Sequence, residues 1–284
     1  MAETLAQALR RATARLEEAG VPAAQADAVQ LAGHLLGLDR GEVAARAILG
    51  TGAPEGLEEL VARRAAREPL QHIVGTAPFR RLELQVGPGV FIPRPETELL
   101  VELLVERLRE DLAQGQGRPV VVDLCTGSGA IAAAIADEVT HARVHAIELD
   151  PQALQWARRN LEGTRVDLRE GDATKAPEDL RGRCAAVVSN PPYVPAREPI
   201  TQPEVLIHDP AAALWGGGAD GMDMPRRIIA AAAELLRPGG WCVLEHAESQ
   251  AEDMQGQMRR AGFEQVQGHQ DLAGRARATS GVLA

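Results

Sequence analysis

The residues best suited to chemistry stand together in the stretch S-N-P-P-Y-V-P, which contains Asn190, Pro191, Pro192 and Tyr193. An amide or aromatic amine nitrogen is a weak nucleophile because its lone pair is delocalised. A site that alkylates such a nitrogen must hold its N–H groups with acceptors, aim it at an electrophilic carbon and exclude water. Asn190 and the Pro191 carbonyl offer two acceptors, the prolines stiffen the loop, and Tyr193 offers a flat face. These four residues are the predicted catalytic and substrate-binding group, and the alternative is a rigid turn around one tyrosine.

A glycine-rich loop, D-L-C-T-G-S-G-A-I, follows a predicted buried strand and opens a helix. Gly127 and Gly129 allow a tight turn and a close approach of the backbone to a ligand. Glu148 lies 19 residues after Gly129, at the end of the next strand, where a carboxylate can accept from both ribose hydroxyls. Nicotinamide, flavin and S-adenosylmethionine cofactors all carry this ribose. The loop also satisfies G-x-G-x-x-A, so a dinucleotide stays open at this point.

Three aspartates stand near the same strand ends. Asp172 follows the third strand and could accept from an adenine amino group or close a turn. Asp123 could hold the glycine loop or approach the amino-acid end of a cofactor. Asp150 is interpreted as the N-cap of the following helix.

From Pro119 onward, nearly continuous apolar strands alternate with helical patterns, which predicts an α/β fold with a largely parallel sheet covered on both faces. Residues 1 to about 70 repeat apolar residues at helical spacing, which predicts a bundle of about four short helices. Alternation in F-R-R-L-E-L-Q-V predicts a hairpin between these parts, and a Gly- and Gln-rich break covers 114–118. The predicted domains are 1–74, helical and substrate-recognising, 75–92, a hairpin linker, and 93–284, catalytic.

Composition and charge indicate which partners and which cellular compartment this protein has. The formal net charge is −10 and the pI is near 5.3, which argues against binding nucleic acid mainly through phosphate contacts. The three cysteines show no metal-ligand spacing, so no metal is expected. The N-terminus has an amphipathic helical pattern rather than a signal peptide, and no apolar run could span a membrane. We therefore expect a cytoplasmic protein without membrane attachment or stable nucleic-acid binding.

The chain resembles the HemK/PrmC-type glutamine N5-methyltransferases that modify peptide-chain release factors. The resemblance covers essentially the full length. It is carried by the motifs P-L-Q-H-I-V-G, G-V-F-I-P-R-P-E-T-E-L-L-V-E, D-L-C-T-G-S-G-A-I-A, A-I-E-L-D-P-Q-A-L, V-S-N-P-P-Y-V, P-E-V-L-I-H-D-P-A-A-A-L-W-G-G-G-A-D-G-M-D, L-L-R-P-G-G-W-C-V-L-E-H and D-L-A-G-R-A-R. The I-P-R-P-E-T-E segment is specific, whereas many methyltransferases share the glycine loop and N-P-P-Y.

The resemblance implies a seven-stranded, Rossmann-like sheet with an antiparallel last strand and a helical substrate-binding domain before it. It implies S-adenosylmethionine as methyl donor, S-adenosylhomocysteine as product, and the glutamine of a Gly-Gly-Gln loop in release factors as substrate. Residues 91–97 would line the pocket. Because the substrate must present an extended loop, we expect residues 194–210 to form a mobile flap, and their prolines argue against a regular helix there. The implied cofactor contacts are Cys125, Thr126, Gly127, Ser128, Gly129, Glu148, Asp172, Ala173 and Asn190.

Two residues depart from the family pattern. Cys125 stands where glycine is usual, and Ala173 stands where some members have a bulky aromatic residue. Both lie in the expected cofactor pocket.

Other functions remain open on the sequence. N-P-P-Y also suits a methyltransferase acting on an exocyclic base amine of DNA or RNA, although this chain is acidic and has no separate basic domain. An oxidoreductase using a dinucleotide would leave N-P-P-Y and P-R-P-E-T-E unexplained. A non-catalytic protein-binding module, with the helical region as its working part, is a further alternative.

Overall fold

A computed structural model describes residues 3–113 and 117–284. Within the predicted Gly- and Gln-rich break, residues 114–116 lie outside this description. The chain forms two compact units, one containing the chain up to Thr76 together with Ile200–His208, the other containing Ala77–Pro199 and Asp209–Ala284. The domain limits predicted from the sequence stay a prediction.

From Pro119 onward, helices and strands alternate as the sequence patterns predict, except for two short helices between residues 203 and 214. In the described residues the helices are α1 Leu5–Glu18, α2 Ala24–Leu36, α3 Arg40–Ile48, α4 Leu57–Ala65, α5 Leu70–Val74, α6 Glu98–Ala113, α7 Ala130–Glu138, α8 Pro151–Asn160, α9 Pro203–His208, α10 Ala211–Leu214, α11 Asp223–Leu235 and α12 Ala251–Arg260. The strands are β1 Thr76–Phe79, β2 Leu82–Gln85, β3 Val120–Leu124, β4 Arg143–Glu148, β5 Asp167–Glu170, β6 Cys184–Ser189, β7 Leu236–Glu245, β8 Phe263–Gln270 and β9 Ala276–Leu283.

The first unit is built from α1 to α5. The first four match the predicted short helices, and α5 is a further short helix at the end of the predicted helical region 1–74. Capping boxes start α1 and α3, because Thr4 and Asp39 each accept from the backbone three residues later, and the side chain of that residue bonds back. Leu5, Leu16 and Leu31 are fully buried and form part of its core.

The segment Ile200–His208 joins this helical unit, and the prediction that it contains no regular helix was wrong. Pro203 is the first residue of α9, where a backbone N–H has no helical partner to lose. Glu204 then accepts from Arg64 at 2.8 Å and from Arg67 at 2.7 Å. The proline therefore starts a helix, and paired charges attach that helix to α4 and the residues that follow it.

The second unit contains the seven-stranded sheet, in the order β5-β4-β3-β6-β7-β9-β8. Neighbouring strands from β5 to β7 are parallel, whereas β9 runs antiparallel to both β7 and β8. The predicted fold class and the antiparallel last strand are confirmed. Since successive crossovers leave β3 and β6 in opposite directions, the carboxyl ends of these two strands form a topological switch point, where ligands bind in such sheets.

The predicted hairpin of β1 and β2 packs beside the sheet. Asn160, at the end of α8, donates to the Gln85 carbonyl and accepts from the Gln85 N–H. The same side chain donates to the Ser128 carbonyl at 2.9 Å. One asparagine thus attaches both the hairpin and the glycine loop to α8.

Candidate active site

A cavity of about 380 Å³ lies at the carboxyl ends of β3, β4, β5 and β6. This volume is within the range of small-molecule sites. Its wall is largely apolar, with a few polar groups that converge on it. The lining residues that the sequence predicted for the cofactor or the substrate are Cys125, Thr126, Gly127, Ser128, Glu148, Asp172, Ala173, Asn190 and Pro192.

Three predicted site residues, Gly129, Pro191 and Tyr193, are not among the residues that line this cavity. Phe91, Pro93 and Thr97 come to the wall from the segment 91–97, which the resemblance places there. Phe79 also lines it. The flat faces presented to the cavity are therefore those of Phe79 and Phe91 rather than that of Tyr193.

Asp123 holds the glycine loop, which is one of its two predicted roles. Its Oδ2 accepts from the Thr126 hydroxyl at 2.5 Å and from the Ala132 N–H at 3.2 Å, which joins the loop to the first turn of α7. Within the described part of the chain, its buried Oδ1 has no hydrogen-bond partner. Burial raises the pKa of Asp123 to about 7.

The loop requires left-handed backbone at Cys125 (φ 60°), Gly127 (φ 58°) and Gly129 (φ 83°). A Cβ on Gly127 would meet nothing within 4 Å, so this glycine borders open space. A Cβ on Gly129 would approach Leu161 Cγ to 3.1 Å. Cys125 adopts a conformation that glycine adopts without strain, which explains physically why glycine suits its position. Burial and the nearby Glu148 charge raise the pKa of the Cys125 thiol.

Glu148 ends β4, and backbone donors orient its carboxylate. Oε2 accepts from the Gly127 N–H at 2.7 Å, and Oε1 accepts from the N–H groups of Leu149 and Asp150, each at 2.8 Å. Burial raises the pKa of Glu148, although these three donors act in the opposite direction. A carboxylate has about four acceptor positions, so one position remains for a ligand donor.

Leu149, Asp172 and Ala173 line the cavity beside Glu148. Leu149 is 62% exposed, an uncovered apolar side chain that can pack against a flat ring. Asp172 closes a turn, since its Oδ1 accepts from the Thr174 N–H at 3.0 Å and hydroxyl at 2.6 Å, and the Thr174 hydroxyl is the main cause that lowers the Asp172 pKa. Asp150 caps α8, as predicted, by accepting from Gln152 and Ala153 N–H groups.

Asn190 follows β6 and faces the same cavity. Its Nδ2 donates to the Thr97 hydroxyl oxygen at 3.2 Å. The Ser189 hydroxyl beside it donates to the Leu124 carbonyl at 2.6 Å, so the ends of β6 and β3 are held together. The glycine loop and Asn190 are thus positioned by one pair of neighbouring strands.

Glu245 is a site residue that the sequence interpretation missed. It ends β7, is 1% exposed, and accepts from the Thr97 hydroxyl at 2.7 Å and the Tyr193 hydroxyl at 2.9 Å. Burial raises the pKa of Glu245 to about 7. The signal was present: an acid closes an otherwise apolar strand, and the residues at strand ends carry the site in such sheets.

Glycines and one glutamine support the N-P-P-Y loop. Gln250 Nε2 donates to the carbonyls of Tyr193 and Asp220 at 2.7 and 2.8 Å. A Cβ on Gly221 would come within 2.3 Å of the Tyr193 carbonyl oxygen, and one on Gly216 within 2.8 Å of the Tyr193 Cα. The glycines of W-G-G-G-A-D-G-M-D therefore let this segment pack directly on the reactive loop.

The described ranges contain no cluster of metal ligands and no helix that could span a membrane. No group of three or more His, Cys, Asp or Glu side chains there could hold a metal ion. None of the helices in those ranges combines the length and the apolar character needed to cross a bilayer.

Comparison with known proteins links both parts of the chain to methyltransferases. The family model of the PrmC N-terminal domain matches residues 7–75, and that of the methyltransferase small domain matches residues 82–220. The release factor glutamine methyltransferase of Streptomyces coelicolor is 53% identical over 241 residues, 84% of each chain. The 4-amino-L-phenylalanine/4-methylamino-L-phenylalanine methyltransferase of Streptomyces pristinaespiralis is 41% identical over 92% of this chain and 89% of its own.

The fold is also similar to that of T. Thermophilus 16S rRNA N2 G1207 methyltransferase, solved in complex with AdoMet and guanosine. The TM-score is 0.52 at 21% identity, over 74% of this chain and 50% of that one. At this identity the likeness concerns the fold alone. The family models and the 53% identical relative, over most of both chains, establish that this chain belongs to the release factor glutamine methyltransferase family.

Proposed function

We propose that this chain transfers a methyl group from S-adenosylmethionine to the side-chain amide nitrogen of the glutamine in the Gly-Gly-Gln loop of peptide-chain release factors. One observation carries the proposal. Asn190, with its Nδ2 bound to Thr97, lines the same cavity as the glycine loop and Glu148. An amide acceptor thus shares one cavity with groups suited to a nucleoside cofactor.

The cavity residues fit S-adenosylmethionine. Glu148 keeps one acceptor position for a ribose hydroxyl, Leu149 offers an apolar face for adenine, and Gly127 leaves room beside the loop. Ala173 adds a small side chain at the same wall. When bound, the cofactor supplies an electrophilic methyl carbon attached to a sulfonium. Metal-independence remains part of this proposal.

The chain's own contribution is positioning. Asn190 Oδ1 would accept from one N–H of the substrate amide, and the Pro191 carbonyl would accept from the other, which fixes the direction of the nitrogen lone pair. The aromatic faces of Phe79 and Phe91 and the ring of Pro192 exclude water from the reacting atoms. The amide nitrogen would receive the methyl group that the cofactor supplies, with S-adenosylhomocysteine as the leaving group, and would release one N–H proton to solvent. Tyr193 does not line the cavity, and it would contribute through the hydrogen bond from its hydroxyl to Glu245.

The nature of the acceptor amine is the point that needs an experiment. The 53% identical relative is named for release factor glutamine, and the 41% identical one for 4-amino-L-phenylalanine and 4-methylamino-L-phenylalanine. The two acceptors differ in size, since a release factor presents its glutamine on a loop of a folded protein. Because release factors act in the cytoplasm, the proposal also assigns the chain to that compartment.

The test is transfer of labelled methyl from S-adenosylmethionine. Parallel reactions contain a release factor, the same factor with its Gly-Gly-Gln glutamine changed to alanine, free 4-amino-L-phenylalanine, and an RNA or DNA fragment. We expect label only on the intact release factor, with mass spectrometry locating it on the glutamine side chain. Label on the free amino acid or nucleic acid, with none on the release factor, would refute the proposal.

The role of Asn190 can be tested separately from cofactor binding. Asn190→Ala should lower kcat/KM for the release factor by about 100-fold or more, because an oriented hydrogen-bond partner of the reacting group is lost. The Kd for S-adenosylmethionine, measured by calorimetry, should change little. Gln267→Ala removes an exposed amide on β8 and is the control. Equal losses of turnover and cofactor affinity would contradict this division of roles.

A further inference from the structure

A buried chain of hydrogen bonds runs from Glu245 to Asn190. The Thr97 hydroxyl donates to Glu245 Oε2 at 2.7 Å, and Asn190 Nδ2 donates to the Thr97 oxygen at 3.2 Å. Tyr193 donates to the other carboxylate oxygen, Oε1, at 2.9 Å. Thr97 and Glu245 are each at most 4% exposed, so partners must come from the protein.

The donor and acceptor capacities of these groups impose one direction on the chain. An ionised carboxylate only accepts, so Thr97 must give its single hydroxyl proton to Glu245. The Thr97 oxygen can then only accept from Asn190. The amide of Asn190 therefore turns its NH₂ group toward Thr97, and Oδ1 is left for another donor.

The hydrogen bonds can run in the opposite direction when Glu245 is protonated or is replaced by glutamine. A carboxyl group with a proton, or a glutamine amide, can donate to the Thr97 oxygen. The Thr97 proton is then free to bond Asn190 Oδ1, which requires the Asn190 amide to rotate by half a turn. The amide would then present NH₂ to a substrate that itself offers N–H groups, and two donors do not bind each other.

The groups around Glu245 include some that lower its pKa and others that raise it. Arg277, from β9, favours the ionised carboxylate, as do the hydroxyls of Thr97 and Tyr193. Burial and Glu96 favour the protonated form, and the pKa of Glu245 is raised to about 7. The neighbouring His246 bonds Thr279 and the Ala247 carbonyl instead.

We propose that Glu245 is a positioning residue for amide methylation, which acts through Thr97 to hold Asn190 with its side-chain oxygen toward the substrate. This inference rests on the proposed function, because the orientation of Asn190 matters only if Asn190 receives an amide N–H. Glu245 does not touch the reacting atoms. It selects one of the two orientations of the Asn190 amide, and Asn190 contacts the substrate amide.

The kinetic test uses Glu245→Gln, with Glu234→Gln, an exposed carboxylate on α11, as the matched control. Glu245→Gln should lower kcat/KM for the release factor about tenfold at pH 8, the population ratio that one hydrogen bond can set. The Kd for S-adenosylmethionine should stay unchanged. At pH 6 the ratio of wild-type to variant kcat/KM should fall toward one, because wild-type Glu245 is then protonated. A ratio independent of pH, or a variant as active as wild type at pH 8, would overturn the inference.

A spectroscopic measurement separates this inference from the proposed function. Nuclear Overhauser contacts should join the Asn190 side-chain NH₂ protons to the Thr97 methyl group in wild type at pH 8, and should weaken in Glu245→Gln. If wild type shows these contacts but does not methylate a release factor, the proposed function fails and the orientation stands. If wild type methylates the release factor but lacks these contacts, the inferred orientation of Asn190 is refuted and the proposed function is kept.

Thr97→Val gives a second variant in case Glu245→Gln does not fold. It keeps the volume of the side chain and removes the bridging hydroxyl. It should produce the same loss of kcat/KM at pH 8 and the same dependence of the ratio on pH. Full activity of Thr97→Val at pH 8 would overturn the proposal independently.

Discussion

Asp123→Asn should reveal a carboxyl that weakens the fold as it ionises. Asp123 is fully buried, and burial raises its pKa from an ordinary 3.8 to about 7. An acid whose pKa is raised by folding favours the folded state at low pH, and this contribution is lost as pH rises through about 7. Between pH 5.5 and 8.5, the raised pKa costs wild type about 2 kcal/mol. Asparagine keeps an acceptor for Thr126 and Ala132 and does not titrate.

The assay is denaturant unfolding followed by tryptophan fluorescence. All three tryptophans, Trp156, Trp215 and Trp241, belong to the unit that contains Asp123, so the signal reports that unit. The free energy of unfolding of Asp123→Asn, relative to wild type, should rise by about 2 kcal/mol from pH 5.5 to 8.5.

Val139→Ala, a buried apolar truncation in the same unit, serves as the control because nothing in it titrates. It should lower the free energy of unfolding by the same amount at both pH values. Parallel pH curves for Asp123→Asn and wild type would refute the reasoning, because they would mean that Asp123 has the same pKa in the folded and unfolded chain.

Two further predictions concern the cofactor pocket. Glu148→Gln should weaken S-adenosylmethionine binding by about 10- to 100-fold in calorimetry, since an amide cannot accept at both ends and charge-assisted hydrogen bonds are lost; an unchanged Kd would count against Glu148 as a cofactor ligand. Gly129→Ala should destabilise the sheet unit by at least about 1 kcal/mol more than Gly163→Ala in urea unfolding, because both positions have positive φ but only Gly129 abuts Leu161. Equal effects of the two substitutions would show that backbone strain alone matters.

Much of the fold and part of the candidate site could be predicted from local pattern. Apolar strands alternating with helices specify a parallel sheet, and such a sheet brings the residues after its strands to one edge. This reasoning brought together the glycine loop, Glu148 and Asn190, which line one cavity. It could not predict that Tyr193 points its hydroxyl at Glu245 instead of lining the cavity, because that contact joins residues 52 positions apart.

The sequence by itself determined the fold class, the family and the strand ends that carry the candidate site, because these depend on periodicity and short motifs. Tertiary structure alone decided which remote groups complete the site. Thr97 and Glu245 are 148 residues apart in the chain and meet only in the folded protein. Tyr193 follows β6 and reaches Glu245 because β7, which Glu245 ends, lies beside β6 in the sheet. Likewise, Pro203 starts a helix because Glu204 finds Arg64 and Arg67 in the helical unit. Hydrogen bonds and ion pairs between distant segments depend on strand order and packing, which no local pattern encodes.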